Sequence, residues 1–208
     1  MSPRATLKRW LLMAVVTAIM TMPPVRLVDA QGRPIADLTG HLLVATDALR
    51  DPHFSHTVVY MLRHGAGGAL GLVVNRPLGA VRLADLLERF GLDREGASGD
   101  IRVHEGGPVD PSAVFVLHGT DYVGSASQII KDGVAVTTQP EILEAMARGT
   151  GPQHSLFVVG YAGWAPGQLE GEMARGDWVS VVADEVLLFS DDWARKWERA
   201  MARLRIEL

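Results

Sequence analysis

Between Thr57 and Val74 two apolar runs lie on either side of a glycine-rich turn, and this leaves few folds open. Thr57-Val58-Val59-Tyr60-Met61-Leu62 is rich in β-branched and aromatic residues, the composition of a strand. Ala69–Val74 is a second such run. The segment His64-Gly65-Ala66-Gly67-Gly68 between them is suited to a tight turn, so the pair reads as an antiparallel hairpin. The pattern recurs along the chain. Ile101–His104 and Ala113–His118 flank Glu105-Gly106-Gly107-Pro108, and Ser125–Ile130 and Val134–Thr137 flank Asp132-Gly133. Leu42–Ala45 and Leu156–Gly160 add two more apolar strands. Strands that come in neighbouring pairs do not build the alternating parallel sheet of an α/β fold.

Helical signals are fewer. Leu83, Leu86, Leu87 and Phe90 occupy one face of a helix, with Gly91 placed as its C-terminal cap. Thr138 and Glu141 have the spacing of a capping box, which opens a helix running to about Arg148 and stopped by Gly149. A short helix is predicted from about Pro166 to Arg175, ended by Gly176. Ser190 is predicted to cap a final helix with an apolar face of Trp193, Trp197, Ala200, Met201 and Leu204. Trp178–Ala183 and Glu185–Phe189 read as strands or as one bent strand. Asn75-Arg76-Pro77-Leu78-Gly79 interrupts the strand pattern. Together these features predict an α+β fold: a single domain over residues 31–208, with a mixed, mostly antiparallel sheet and three or four helices.

The N-terminal thirty residues differ from the rest. A basic start, the apolar run Trp10–Met22 and Pro23-Pro24 precede Val28-Asp29-Ala30, the order of an export signal cut after Ala30. The apolar run is shorter than the ~20 residues that span a bilayer. Left uncleaved, residues 10–22 would be the only membrane contact. Residues 1–30 carry a net charge of +3, from Arg4, Lys8, Arg9 and Arg26 against Asp29. The formal charge of −4 over the whole chain then leaves −7 on the body, a poor electrostatic partner for nucleic acid. The chain has no cysteine, which excludes disulfides, thiolate nucleophiles and cysteine-bound zinc.

Four clusters stand in a fixed order. They are Asp51-Pro52-His53-Phe54 leading to Thr57-Val58-Val59; Gly68 to Pro77, ending in Asn75-Arg76-Pro77; Gly106-Gly107-Pro108-Val109; and Gly160-Tyr161-Ala162-Gly163-Trp164 with Gly167-Gln168-Leu169-Glu170. In this order and at these spacings the sequence resembles the YqgE/AlgH family of bacterial proteins from about Leu38 to its C-terminus. The resemblance implies a compact α+β pseudo-barrel and a label of transcriptional regulator. It also implies a cytosolic protein, since most members lack a segment like residues 1–30; the export signal argues for a periplasmic one.

Candidate chemistry is sparse. The glycines at 65, 67 and 68 lack the phosphate-loop pattern and no helix follows them. Gly106-Gly107-Pro108 could cradle an anion on backbone N–H groups, but a tight bend between strands explains it as well. Gly124-Ser125-Ala126-Ser127 is no nucleophile elbow, and a hydroxyl without a positioned base is a weak nucleophile. Seven histidines include no metal-binding pair at helical spacing, so neither a metal nor a cofactor is expected. The last helix balances Arg195, Lys196, Arg199, Arg203 and Arg205 against Asp191, Asp192, Glu198 and Glu207, which reads as a solvated face. The richest polar cluster is Gly160–Glu172, where Gln168 and Glu172 share a helix face and Glu170 points elsewhere.

The candidate binding residues are therefore Asn75, Arg76, Glu105, Gly106, Gly107, Tyr161, Trp164, Gln168 and Glu170; no catalytic residue is assigned. The leading reading is a non-catalytic binding or regulatory module with a protein or small-molecule partner and no direct contact with nucleic acid. Two alternatives stay open. One is a cofactor-free enzyme with a pocket near Asn75, Glu105 and Tyr161. The other is a transcriptional regulator that acts through protein partners.

Overall fold

The computed structural model describes residues 37–204; the expected signal at residues 1–30 lies outside them. Ten strands form one curled sheet: β1 (His41–Ala45), β2 (Val58–Gly65), β3 (Gly68–Val73), β4 (Pro77–Arg82), β5 (Asp100–Glu105), β6 (Val109–Gly119), β7 (Ser127–Lys131), β8 (Val134–Thr137), β9 (Ser155–Trp164) and β10 (Trp178–Val182). The main path runs β10-β1-β2-β3-β9-β6-β8-β7, with β4 and β5 branching from β9. All pairs are antiparallel except β5 with β9. The fold is thus α+β, a half-barrel with a mixed, mostly antiparallel sheet, as the paired strands predicted.

β9 is the hub. Its first half pairs with β6 on one side and, in parallel, with β5 on the other. Its second half, Ala162–Trp164, pairs with β3. The change of partner occurs around Gly160, whose φ of 73° bends the strand.

Among the described residues, five α-helices cover the sheet: α1 (Leu83–Phe90), α2 (Glu141–Ala147), α3 (Gln168–Ala174), α4 (Glu185–Phe189) and α5 (Trp193–Leu204). α1 turns Leu83, Leu86 and Leu87 inward, and Gly91 caps it in the left-handed conformation, as the periodicity required. α4 is additional to the three or four helices predicted and corrects the strand expected at Glu185–Phe189. The Asp184 carboxylate accepts the Leu187 N–H as an N-cap, which commits the run to a helical turn that buries Leu187 and Leu188 side by side. The Thr138 capping box does not form. Pro140 takes the N-cap position of α2 without a side-chain bond.

The segment Asn75–Gly79, which interrupts the strand pattern in the sequence, contains the start of β4. That strand is paired, among the described residues, with β5 alone. Proline is tolerated at the first residue of an edge strand, and the register shift at Gly79 is a bulge.

The largest core cluster fills the barrel from β1, β2, β3, β6, β8 and β9 and is closed by α4 and α5. A second gathers Met61, Val73, Trp164, Leu169 and Trp178. A third lies under α1 and α2.

Candidate functional site

The segments singled out from the sequence fall into two assemblies, joined through the turn at Pro52–Phe54. The first joins Asn75-Arg76, Glu105-Gly106-Gly107 and Gly160-Tyr161. Asn75 bridges two strand ends: its Oδ1 accepts the Val58 N–H at 2.9 Å and its Nδ2 donates to the His56 carbonyl at 2.9 Å. The Arg76 guanidinium donates to the carbonyls of His53 and Ser55, which ties down the 3-10 turn at Pro52–Phe54. The Glu105 N–H donates to the Arg76 carbonyl, and its side chain is exposed. Gly106 lies between β3 and β9, accepting from Val73 N–H and donating to the Val159 carbonyl at 2.8 Å. A Cβ on Gly160 would come within 2.6 Å of the Gly107 carbonyl, and one on Gly107 would strike the Tyr161 backbone. The two backbones are in direct contact, and the Gly106 N–H is already committed to the Val159 carbonyl. Tyr161 packs edge-on against Phe115 with ring centroids 6.1 Å apart.

The second assembly sits where β9 enters α3. Glu172 is its centre. Its Oε2 accepts the indole N–H of Trp164 at 2.8 Å and that of Trp178 at 2.9 Å, and its Oε1 accepts Gln168 Nε2 at 2.9 Å. Gln168 Oε1 accepts the Ala165 N–H, closing the turn ahead of the helix. The two indoles lie 5.9 Å apart at 80°, with Phe54 on both. Glu170 leaves this cluster, as its helical position predicted, and places a carboxylate oxygen 3.3 Å from Nε2 of the buried His64. His64 Nδ1 accepts the Leu38 N–H, so in the neutral ring the proton sits on Nε2, facing Glu170. The contact is close but not aligned as a hydrogen bond.

The nine candidates thus do not share one cleft. Asn75, Arg76 and Gln168 spend their polar atoms on backbone and neighbouring side chains, and Trp164 is 7% exposed. Among the described residues, no three His, Asp or Glu side chains gather as a metal-holding group, and no helix is long and apolar enough to cross a membrane.

Two buried polar arrangements go further than the sequence signals, the first of them extending the backbone hydrogen bond expected of a histidine at the end of a strand. The first is a directed chain beside β8. His118 Nδ1 faces the Gly119 carbonyl at 2.8 Å, and a carbonyl only accepts, so Nδ1 carries the proton. Nε2 then accepts from Thr137 Oγ1 at 2.8 Å, Thr137 accepts from Ser127 Oγ at 2.7 Å, and Ser127 accepts the Gly124 N–H. Burial lowers the His118 pKa and keeps the ring neutral. Ser127 is therefore linked to a base only through Thr137, which satisfies the chain but does not aim the base at the serine.

The second group corrects the solvated face assigned to the last helix. Lys196 is fully buried, and its Nζ donates to the Leu188 carbonyl at 2.6 Å and the Val74 carbonyl at 3.1 Å. Desolvation pushes its pKa down to about 8. Close by, His104 is 1% exposed. Burial, with the Lys196 cation adding to it, pushes the His104 pKa down to about 4. A cavity of about 350 Å³ opens beside His104 between β5, the start of β9 and the turn before α5. Spacing alone could not expose either group, because a lysine on an amphipathic helix and a histidine on a strand have no sequence mark of burial.

The AlgH-like family model, DUF179, matches residues 42–208. A UPF0301 protein of Methylococcus capsulatus is 44% identical over 173 residues, covering 83% of this chain and 94% of its own. Another, from Rhodospirillum rubrum, is 40% identical over 170 residues and covers 82% and 88%. The solution structure of the AlgH protein from Pseudomonas aeruginosa superposes with a TM-score of 0.67 at 36% identity, covering 81% of this chain and 89% of that one. A crystal structure from Corynebacterium diphtheriae, at 20% identity and a TM-score of 0.63, shares the fold over 88% of this chain and 94% of its own.

Proposed function

The chain belongs to the AlgH-like family, and on that footing we propose that it is a non-catalytic binding or regulatory module that captures a protein segment along β4. One observation carries this reading: all six residues of β4 are exposed, with Leu78 61% and Val81 37% accessible, and the strand's second edge has no partner among the described residues. An open edge with outward apolar side chains is the template for strand addition. Asn75, Arg76, Glu105, Gly106 and Gly107 support it as anchors, because they fasten the root of the β4–β5 pair to the barrel. Tyr161, Trp164, Gln168 and Glu170 fit a scaffold role. The −7 charge of the body favours regulation through protein contacts over direct contact with DNA. Residues 31–208 act as one mature domain in this reading, with residues 1–30 as a cleaved export signal.

The test is capture of partners from the native cell by the wild-type chain and by Leu78→Lys/Val81→Lys. Exposed substitutions of this kind change stability by about 0.5 kcal/mol or less. The expected result is loss of specific partners from a variant that melts like the wild type. Equal capture by both proteins removes β4 from the reading. Turnover of a metabolite by the purified chain overturns the non-catalytic assignment.

A further inference from the structure

The cavity beside His104 is built from groups that the fold leaves unfinished. Among the described residues neither ring nitrogen of His104 makes a well-aligned hydrogen bond, although the Phe157 backbone approaches the ring, and the indole Nε1 of Trp193 is likewise buried and unpaired. A buried polar group without a partner costs about 1–3 kcal/mol, so these atoms need an explanation, and of the two residues it is His104 that lines the cavity. The rings of His104 and Trp193 stand 6.0 Å apart at 66°. The Arg102 guanidinium lies 4.1 Å above the Trp193 ring. The lining includes Arg102 on one hand and Asp100 and Asp191 on the other, with His104, Ser155 and Phe157. At about 350 Å³ the space falls at the lower end of the range that ligand cavities occupy, about 300–1,000 Å³.

The charges select the class of ligand. A simple anion would meet the Asp100 and Asp191 carboxylates. A simple cation would meet Arg102, with Lys196 near His104. A molecule that carries both charges a few bonds apart meets each with its opposite. The interior supplies neutral polar contacts. Burial holds His104 uncharged at neutral pH, so its ring offers one N–H donor and one lone pair. The Trp193 ring, packed between His104 and Arg102, stands beside these groups as a reporter of the site.

We propose that this cavity is a binding site for a small zwitterion of the α-amino-acid class, with its carboxylate toward Arg102, its ammonium toward Asp100 and Asp191, and its remaining polar atoms against His104. The site does not depend on partner capture at β4. Ala80 of β4 also lines the cavity, so an occupant would touch the back of the exposed strand.

The experiment is an NMR titration of the full ¹⁵N-labelled chain. The twenty standard amino acids are added singly to about 10 mM, a range that detects weak millimolar binding. The readouts are the Trp193 indole N–H, assigned by its loss in Trp193→Phe, and the His104 ring nitrogens. Acetate and ethylammonium are the single-charge controls. At least one amino acid is expected to shift both signals saturably, at least about tenfold more tightly than either control. His104→Phe and the exposed rim variant Arg102→Gln are each expected to weaken that binding about tenfold or more. If His104→Phe fails to fold, Arg102→Gln alone decides. A cavity that holds only water, with no saturable shift from any amino acid, overturns the proposal. So does binding of acetate as tight as the best amino acid, or binding unaffected by Arg102→Gln.

Discussion

Two indole N–H groups share one oxygen of Glu172, and that oxygen has no equal substitute. Glu172→Gln keeps the shape but replaces one acceptor oxygen with a donor, which would face Gln168 Nε2 or an indole. Loss of charge-assisted bonds of this kind costs about 1.5–3 kcal/mol. The expected outcome is a lowered melting temperature and a red-shifted tryptophan emission, as Trp164 and Trp178 loosen. Lys196 sets a second expectation. Its folded pKa of about 8 lies below the ordinary 10.5, so between these values the unfolded chain binds more protons and stability rises with pH. Tyr60, buried and raised above its ordinary value of 10.0, acts in the opposite sense once the pH passes 10. The clean window is therefore about pH 8 to 10. Wild type should gain stability across it in chemical denaturation, and Lys196→Met should lose that slope whatever its absolute stability. His104 works in the same direction on the acid side: the unfolded chain protonates from 6.5 downward, the folded one only near 4, and stability falls as the pH drops through that interval.

At the scale of elements the decisive piece is β9. Gly160 combines a left-handed backbone with contact against Gly107, so Gly160→Ala meets both a conformational penalty and a clash. Gly176 has φ 80° and open space around its Cβ position. Gly176→Ala is expected to cost about 1–2 kcal/mol, the left-handed penalty alone, and Gly160→Ala clearly more in the same denaturant titration. Equal losses would show that the close approach contributes nothing. The hairpin, α1 and α3 were legible because each carries its own period and its own stop at Gly91 or Gly176. β4 and α4 were not. In β4, Pro77 and Gly79 read as breakers, and only the edge position makes them tolerable. In α4, Val186, Leu187, Leu188 and Phe189 form an apolar run that suits a strand or a helix, and the Asp184 cap decides it. One site feature was hidden for a related reason. Whether Gln168 serves a ligand or its own turn depends on where Glu172 and Ala165 lie in space, which periodicity does not encode.

At the scale of the molecule, the body should not retain duplex DNA at physiological salt, because phosphate contacts need a basic face and the body carries −7. A salt-dependent, sequence-selective gel shift with the purified chain would refute this. N-terminal sequencing should find Gln31 first when the chain is made in a bacterial host, and an intact Met1 on soluble cytoplasmic protein would refute the export signal. The order of the sheet bears on that route. The first described strand, β1, sits between β2 and the last strand, β10, and the hub β9 lies late in the chain. During synthesis β1 therefore leaves the ribosome long before one of its two neighbours exists, and β3, β5 and β6 all wait for β9. A nascent chain of this topology cannot close its barrel early. Until nearly all of it has emerged, its unpaired strands remain open to other chains.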